Sequence, residues 1–232
     1  MKKFLLIAVL IGAMLSVTAY VACMAMPMLG KTIKGSGNIV TKTVPAPDFD
    51  GIEASRAVKV VISDKVSDIR IEADDNLIDL VVVRAVKGKL EATLDQKVNN
   101  IQNGNVTITV PANGKIRSLD ASSASKIIGE TTLKAGKFSI EASSAARIET
   151  AVEATSCTIE TSSASKVEAS VETGSCSLDA SSASKIVLEG SARTFKADMS
   201  SASKLDAEKF SVVNATIDTS SAANVSIDCS GK

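Results

Sequence analysis

The sequence predicts an all-β fold: a single-domain parallel β-helix, or β-solenoid, of about nine coils of 19–21 residues with one inserted hairpin. Three observations predict it. The nonapeptide LDASSASKI at Leu119–Ile127 returns letter for letter at Leu178–Ile186. The tripeptide Ser-Ser-Ala begins at Ser122, Ser143, Ser162, Ser181, Ser200 and Ser220, in steps of 21, 19, 19, 19 and 20 residues. Between these marks apolar and polar residues alternate: Phe138, Ile140 and Ala142 fall on one side of an extended chain, Ser139 and Glu141 on the other. Period two with much serine argues for strands, because serine competes with helical backbone hydrogen bonds.

Taken in chain order, residues 1–30 read as a targeting leader and 31–232 as the folded domain. The basic start MKK precedes an almost unbroken apolar run from Phe4 to Leu29. Three outcomes fit it. Cys23 in YVAC is lipidated after cleavage, signal peptidase cuts after Ala19, or the run stays uncut as a bilayer span. All three export the domain. Next, Ile52-Glu53-Ala54, Ile71-Glu72-Ala73 and Leu90-Glu91-Ala92 repeat the frame at 19-residue steps. The step from Leu90 to Leu119 is 29, and the extra residues lie near QKVNNIQNGN, where Asn103-Gly104 signals a tight turn and an inserted hairpin at Gln96–Asn105. From Leu119 onward the copies read apolar, acid, small, Ser-Ser-Ala, small, base, aliphatic, with Met199 in the small place of one copy and Asn224 in place of the base in the last. Ser-Ser-Ala suits a corner, since small side chains permit a sharp bend and hydroxyls satisfy the backbone groups freed there.

If residue i stacks on i+19, with strands about 4.8 Å apart, like residues form ladders along a rod of roughly 40 Å. One interior row reads Phe138, Cys157, Cys176, Phe195, Ala215; another reads Ile127, Ile148, Val167, Ile186, Leu205, Val225. Two outer rows are charged. The acids are Glu53, Glu72, Glu91, Asp120, Glu141, Glu160, Asp179, Asp198 and Asp218; the bases are Lys59, Lys126, Arg147, Lys166, Lys185 and Lys204. Glu141, Glu160, Asp179, Asp198 and Asp218 with Lys126, Arg147, Lys166, Lys185 and Lys204 form the candidate binding ladder. The bland alternative is a solvated face on which a base, six residues after its acid, relieves repulsion across the corner.

Composition narrows the chemistry. There are 26 basic and 26 acidic residues, so no net field draws in nucleic acid. Histidine is absent, which removes imidazole bases and histidine metal ligands. No Gly-x-Ser-x-Gly elbow serves the many serines, and a polysaccharide lyase would need a cleft walled by long loops. Calcium-binding Gly-Asp repeats are missing as well. No catalytic residue, cofactor or metal is expected. Cys157 and Cys176 occupy one interior position in neighbouring coils, where either a disulfide or a reduced apolar pair fits; Cys229 has no evident partner.

Four segments, KGSGNIVTK (Lys34–Lys42), FDGIEAS (Phe49–Ser55), IRIEADDNL (Ile69–Leu77) and VTITVPA (Val106–Ala112), followed by serine-rich coils, carry a resemblance. Together they are similar to the bacterial putative auto-transporter adhesin, head GIN domain family, over Lys31 to Asp228. The resemblance implies an exported, often lipid-anchored β-helix with an adhesive role and no family catalytic residues. The residues after Ser220 hold no translocating β-barrel. The expected function is an exported cell-envelope binding or adhesin-like module, at the outer membrane, in the periplasm or on the cell surface. Its expected partners are a glycan or protein surface, a second copy, and the membrane through its N-terminal anchor. The alternatives are a scaffold that self-associates through open solenoid ends and a carbohydrate-active enzyme.

Overall fold

The computed structural model describes residues 32–98 and 100–227. Cys23, the leader and Cys229 lie outside the described residues. The chain runs through sixteen strands and, among the described residues, no α-helix. In order they are β1 (Thr32–Lys34), β2 (Ile39–Val44), β3 (Gly51–Ala54), β4 (Lys59–Ser63), β5 (Ile69–Asp74), β6 (Val81–Val86), β7 (Lys89–Leu94), β8 (Asn100–Gln102), β9 (Val106–Pro111) and β10 (Ser118–Ala121). Five long bent strands follow: β11 (Lys126–Ala142), β12 (Arg147–Thr161), β13 (Lys166–Ala180), β14 (Lys185–Met199) and β15 (Lys204–Thr219), with β16 (Asn224–Ile227) last. From β10 to β16 the strands pair in parallel, each turn on the next, in register except at irregularities between Ile128 and Thr132 and between Val187 and Glu189. This is the solenoid that the repeat predicts.

The period-two pattern sets what is inside. Phe138, Ile140 and Ala142 are buried while Glu141 is exposed; Cys157, Ile159 and Thr161 are buried while Thr158 and Glu160 are exposed. Both expected interior rows are ladders in the structure: Ile127, Ile148, Val167, Ile186, Leu205 and Val225 pair residue to residue, as do Phe138, Cys157, Cys176, Phe195 and Ala215. Apolar burial of such rows is the main stabilising force, and no single turn could supply it alone.

The corners have a defined backbone. In each Ser-Ser-Ala the second serine and the alanine are left-handed, with φ of 52° and 60° at Ser123 and Ala124 and similar values in every later copy. The following N–H closes the turn onto the first serine, as from Ser125 to Ser122 O at 3.1 Å. Two consecutive left-handed residues with that bond make a type I′ turn. Such a turn ordinarily calls for Asn-Gly. Here the strain is offset by stacking: Ala124 N–H donates to Ser144 O, Ala145 to Ser163 O and Ala164 to Ser182 O, each at 2.9 Å. The fourth residue of the turn points inward. The Ser125 hydroxyl donates to Ala54 O, and the Ser165 hydroxyl to Ala142 O, each at 2.8 Å. So a serine can satisfy the backbone at the corner, as expected, and where Ser125 and Ser165 do so it is the residue after the tripeptide, a place that Ala146 and Ala223 hold in two other copies.

The N-terminal part departs from the simple stack. The solenoid has about six regular turns rather than nine, because the 19-residue frame does not stack in chain order before Leu119. Glu91 in β7 pairs with Glu53 in β3, which pairs with Asp120 in β10; on the adjoining face β9 pairs with β4, and β4 with β11. The copy at Ile71 leaves the stack altogether: β5 lies antiparallel between β9 and β2. The expected hairpin at Gln96–Asn105 is replaced by β8, which pairs in parallel with β1. The hairpin that does form joins β6 and β7 through Lys87-Gly88, with φ of 52° and 84°. These antiparallel strands close the N-terminal end of the stack, since they occupy the edges on which another parallel turn would add.

Candidate functional site

Three elements fix the outer face that carries the acids. The pleat sends every second residue outward, the stack superposes equivalent residues, and from Glu53 onward along the stack a left-handed two-residue corner begins two residues beyond each acid. The result is a continuous row of eight carboxylates in the spatial order Glu91, Glu53, Asp120, Glu141, Glu160, Asp179, Asp198 and Asp218. Glu72 is not part of it; it faces Thr41 and Thr107 in the cap.

The row has two electrostatic halves. At the cap end Glu91 pairs with Arg84 at 2.6 Å, and Asp120 lies 3.7 Å from Lys89. Burial lifts the Asp120 carboxyl above its ordinary value, opposed by Lys89 and reinforced by Glu141 and Glu53. Glu141, Glu160, Asp179, Asp198 and Asp218 are exposed and make no ion pair among the described residues. Hydroxyl residues flank them, with Ser139, Thr158 and Ser177 two residues upstream and Ser143, Ser162 and Ser181 at the turn. Asp120, Glu141, Glu160 and Asp179 with those turn serines line an open groove of about 270 Å³.

The bases form the second expected row, Lys59, Lys126, Arg147, Lys166, Lys185 and Lys204, paired turn to turn along the next face. Among the described residues no ion pair joins the two rows across the corner. Lys126 binds Glu149 at 2.8 Å and Lys166 binds Glu168 at 2.5 Å, partners two places further along the same face. The Lys166 ammonium holds the Glu168 carboxyl below its usual range. Glu168 is the nearest same-face residue on the strand of Lys166, and Glu149 is the diagonal neighbour of Lys126 on the next turn, whereas the corner turns acid and base onto different faces.

Sequence reasoning missed Asp74. It is fully buried, and its carboxylate accepts the Gly37 and Asn105 backbone N–H groups, each at 2.7 Å. Beside it Asp75 accepts Ser36 and Asn38 side chains at 2.6 and 2.9 Å, which lower its pKa, and Asn76 donates to Lys34 O. The Asp74-Asp75-Asn76 run of the segment IRIEADDNL therefore clamps the turn within KGSGNIVTK. A run of three polar residues next to a buried strand is the signal that could have found it.

Among the described residues no group of three or more metal-ligating side chains converges, and no helix is long and apolar enough to cross a membrane.

Known proteins share this architecture. A putative adhesin from Parabacteroides merdae is 19% identical, with a TM-score of 0.73 over 84% of this chain and 83% of its own. A putative adhesin from Parabacteroides distasonis is 15% identical, with a TM-score of 0.73 over 85% and 84%. A structure described as a putative lipid binding protein from Parabacteroides distasonis is 14% identical, with a TM-score of 0.63 over 84% and 100%. At these identities the likeness is one of fold. No curated protein matches the sequence. The family model described as "Putative auto-transporter adhesin, head GIN domain" matches residues 48–232, and the chain belongs to that family.

Proposed function

We propose that this chain is an exported, non-catalytic binding module of the cell envelope, a leader over residues 1–30 followed by one domain over 31–232, which presents its carboxylate row to a repetitive surface ligand. The single observation that carries this reading is the run Glu141, Glu160, Asp179, Asp198 and Asp218: five exposed carboxylates on consecutive turns, none of which makes an ion pair among the described residues, with Lys196 as the one cation two residues before an acid of the run. Stacked like charges about 4.8 Å apart repel one another, and a ligand with donors at a similar repeat removes that repulsion. The ligand class is a protein or glycan surface bearing repeated cationic or hydroxyl groups. Lys126, Arg147, Lys166, Lys185 and Lys204 frame the neighbouring face, but Lys126 and Lys166 already hold carboxylates of their own.

Matrix-protein and glycan arrays test the assignment. Triple substitution Glu141→Gln, Glu160→Gln and Asp179→Asn is expected to reduce binding at least tenfold, and reversal of Lys166, Lys185 and Lys204 to leave it within a few-fold. Binding that survives the first set sinks the acid row as the site. The mass of the mature N-terminus, with protease accessibility on intact cells, tests the envelope location. Acylated Cys23 on a protein shaved from whole cells supports a surface lipoprotein, and an unprocessed chain in the cytosol refutes export.

A second reading, self-association, is favoured by the C-terminal end of the stack. Ala215 and Thr219 are exposed there although their counterparts Phe195 and Met199 are buried, and Val213 is 76% exposed. Sedimentation that stays monomeric at high concentration excludes it.

A further inference from the structure

Cys157 and Cys176 are direct partners in the parallel ladder between β12 and β13. Both side chains are buried, at 2% and 3% exposure, and their row continues into Phe138 on one side and Phe195 on the other. In-register residues on neighbouring strands stand one strand spacing apart, about 4.8 Å. That falls inside the Cα separation of about 4.4–6.8 Å that a disulfide spans. Their side chains also leave the sheet on the same face, so the sulfurs are directed into one small apolar space. In the structure both are thiols. The neighbouring thiol lowers Cys157, while Cys157 and burial push Cys176 up. No acid, base or hydroxyl of the row competes for either sulfur.

We propose that Cys157 and Cys176 close a disulfide that locks two consecutive solenoid turns when the chain folds in an oxidising compartment. It rests on the export reading above for the compartment and on the ladder for the geometry. The oxidant is a disulfide donor of the thiol-exchange class, protein or small molecule. Before the turns close, either cysteine, having lost its proton to solvent, attacks one donor sulfur; the donor S–S bond breaks and one donor thiolate leaves and takes up a proton. The thiolate of the other cysteine, its proton likewise lost to solvent, then attacks the protein sulfur of the mixed disulfide and expels the second donor thiol. Two thiols become one disulfide, and two electrons and two protons reduce the donor to its dithiol. Once the turns have closed, neither sulfur is accessible, so exchange belongs to folding rather than to the finished solenoid.

The test uses the full chain, unfolded with reductant and refolded in a mixture of oxidised and reduced glutathione. It is then alkylated in denaturant without reductant and mapped by mass. The expected product is a linked peptide pair containing Cys157 and Cys176, lighter by two hydrogens than the two free peptides. Separate alkylation of both, or linkage of either to Cys23 or Cys229, overturns the proposal. The bridged chain is also expected to unfold at higher urea than the same chain after reduction, a difference that Cys157→Ala abolishes. An unchanged midpoint overturns the locking role. The same map on protein recovered from cells separates the two premises: free thiols there, with a bridge in the refolded chain, would refute export to an oxidising compartment and leave the geometry standing.

Discussion

Ser165 and Ser203 hold the same inward place at the end of their turns, yet only one of them has a partner. The Ser165 hydroxyl donates to Ala142 O, whereas the Ser203 hydroxyl is buried without a bond. A hydrogen bond of this kind contributes about 1 kcal/mol, and a buried unpaired hydroxyl costs a similar amount. Ser165→Ala is therefore expected to destabilise by about 1 kcal/mol and Ser203→Ala to be neutral or stabilising, as read by urea denaturation. Equal losses at both positions would show that the hydroxyl pattern is irrelevant. Asp74 poses the same question with a charge. Asp74→Ala strips two N–H groups of their acceptor and is expected to cost about 3 kcal/mol, while Asp74→Asn retains one acceptor oxygen and costs about half. Period and composition expose the serine rows, but nothing local in the sequence distinguishes the bonded serine from the orphan. That depends on where the preceding turn places a carbonyl.

The recurring element is the type I′ corner. Ala164 sits at φ 60° and is exposed, so its Cβ strains the backbone without meeting anything that must move. Ala164→Val is expected to lower stability by about 1–2 kcal/mol, since a β-branched residue tolerates this region worst, while Ala164→Gly stays within about 1 kcal/mol of the parent. A melting temperature for the valine variant equal to the parent's would remove the corner from the stabilising elements. The sequence marks every corner by its repeat, but Ser-Ala carries none of the Gly or Asn chemistry that names the turn type. What selects it is the axial ladder of bonds between corners, such as Ala145 N–H to Ser163 O. The cap shows the converse. β5 carries the same Ile-Glu-Ala as a stacking turn, and it runs antiparallel because its Asp74 end is held by the Gly35–Asn38 turn and by Asn105.

Across the whole molecule Asp120, Asp75 and Glu168 carry the response to pH, and the exposed carboxylate row the response to salt. Asp120 has a folded pKa above the ordinary 3.8, so the folded state binds more protons than the unfolded chain in the interval between those values. Stability therefore rises as pH falls from about 7 into that interval. At lower pH the sign reverses, because Asp75 and Glu168 have lowered folded values and their contribution, present above their unfolded pKa, is lost as they protonate. The melting temperature is expected to peak in mild acid, and Asp120→Asn to flatten the rise. Added salt at neutral pH should raise the melting temperature by screening the exposed carboxylates. A curve that falls monotonically from neutrality would contradict the account.

The sequence alone determined the strand period, the interior rows and the two charged rows from Asp120 and Lys126 onward, because in a parallel in-register stack a repeat in sequence is a repeat in space. It also placed Cys157 beside Cys176. Tertiary structure alone decided that Glu91 lies beyond Glu53, that Glu72 leaves the row, that the true hairpin is β6–β7, and that Lys126 and Lys166 pair along their own face. Those are choices between chain segments with equivalent local patterns. They are settled by which edges remain unpaired and by the buried Asp74 clamp, neither of which is a property of any nineteen-residue copy.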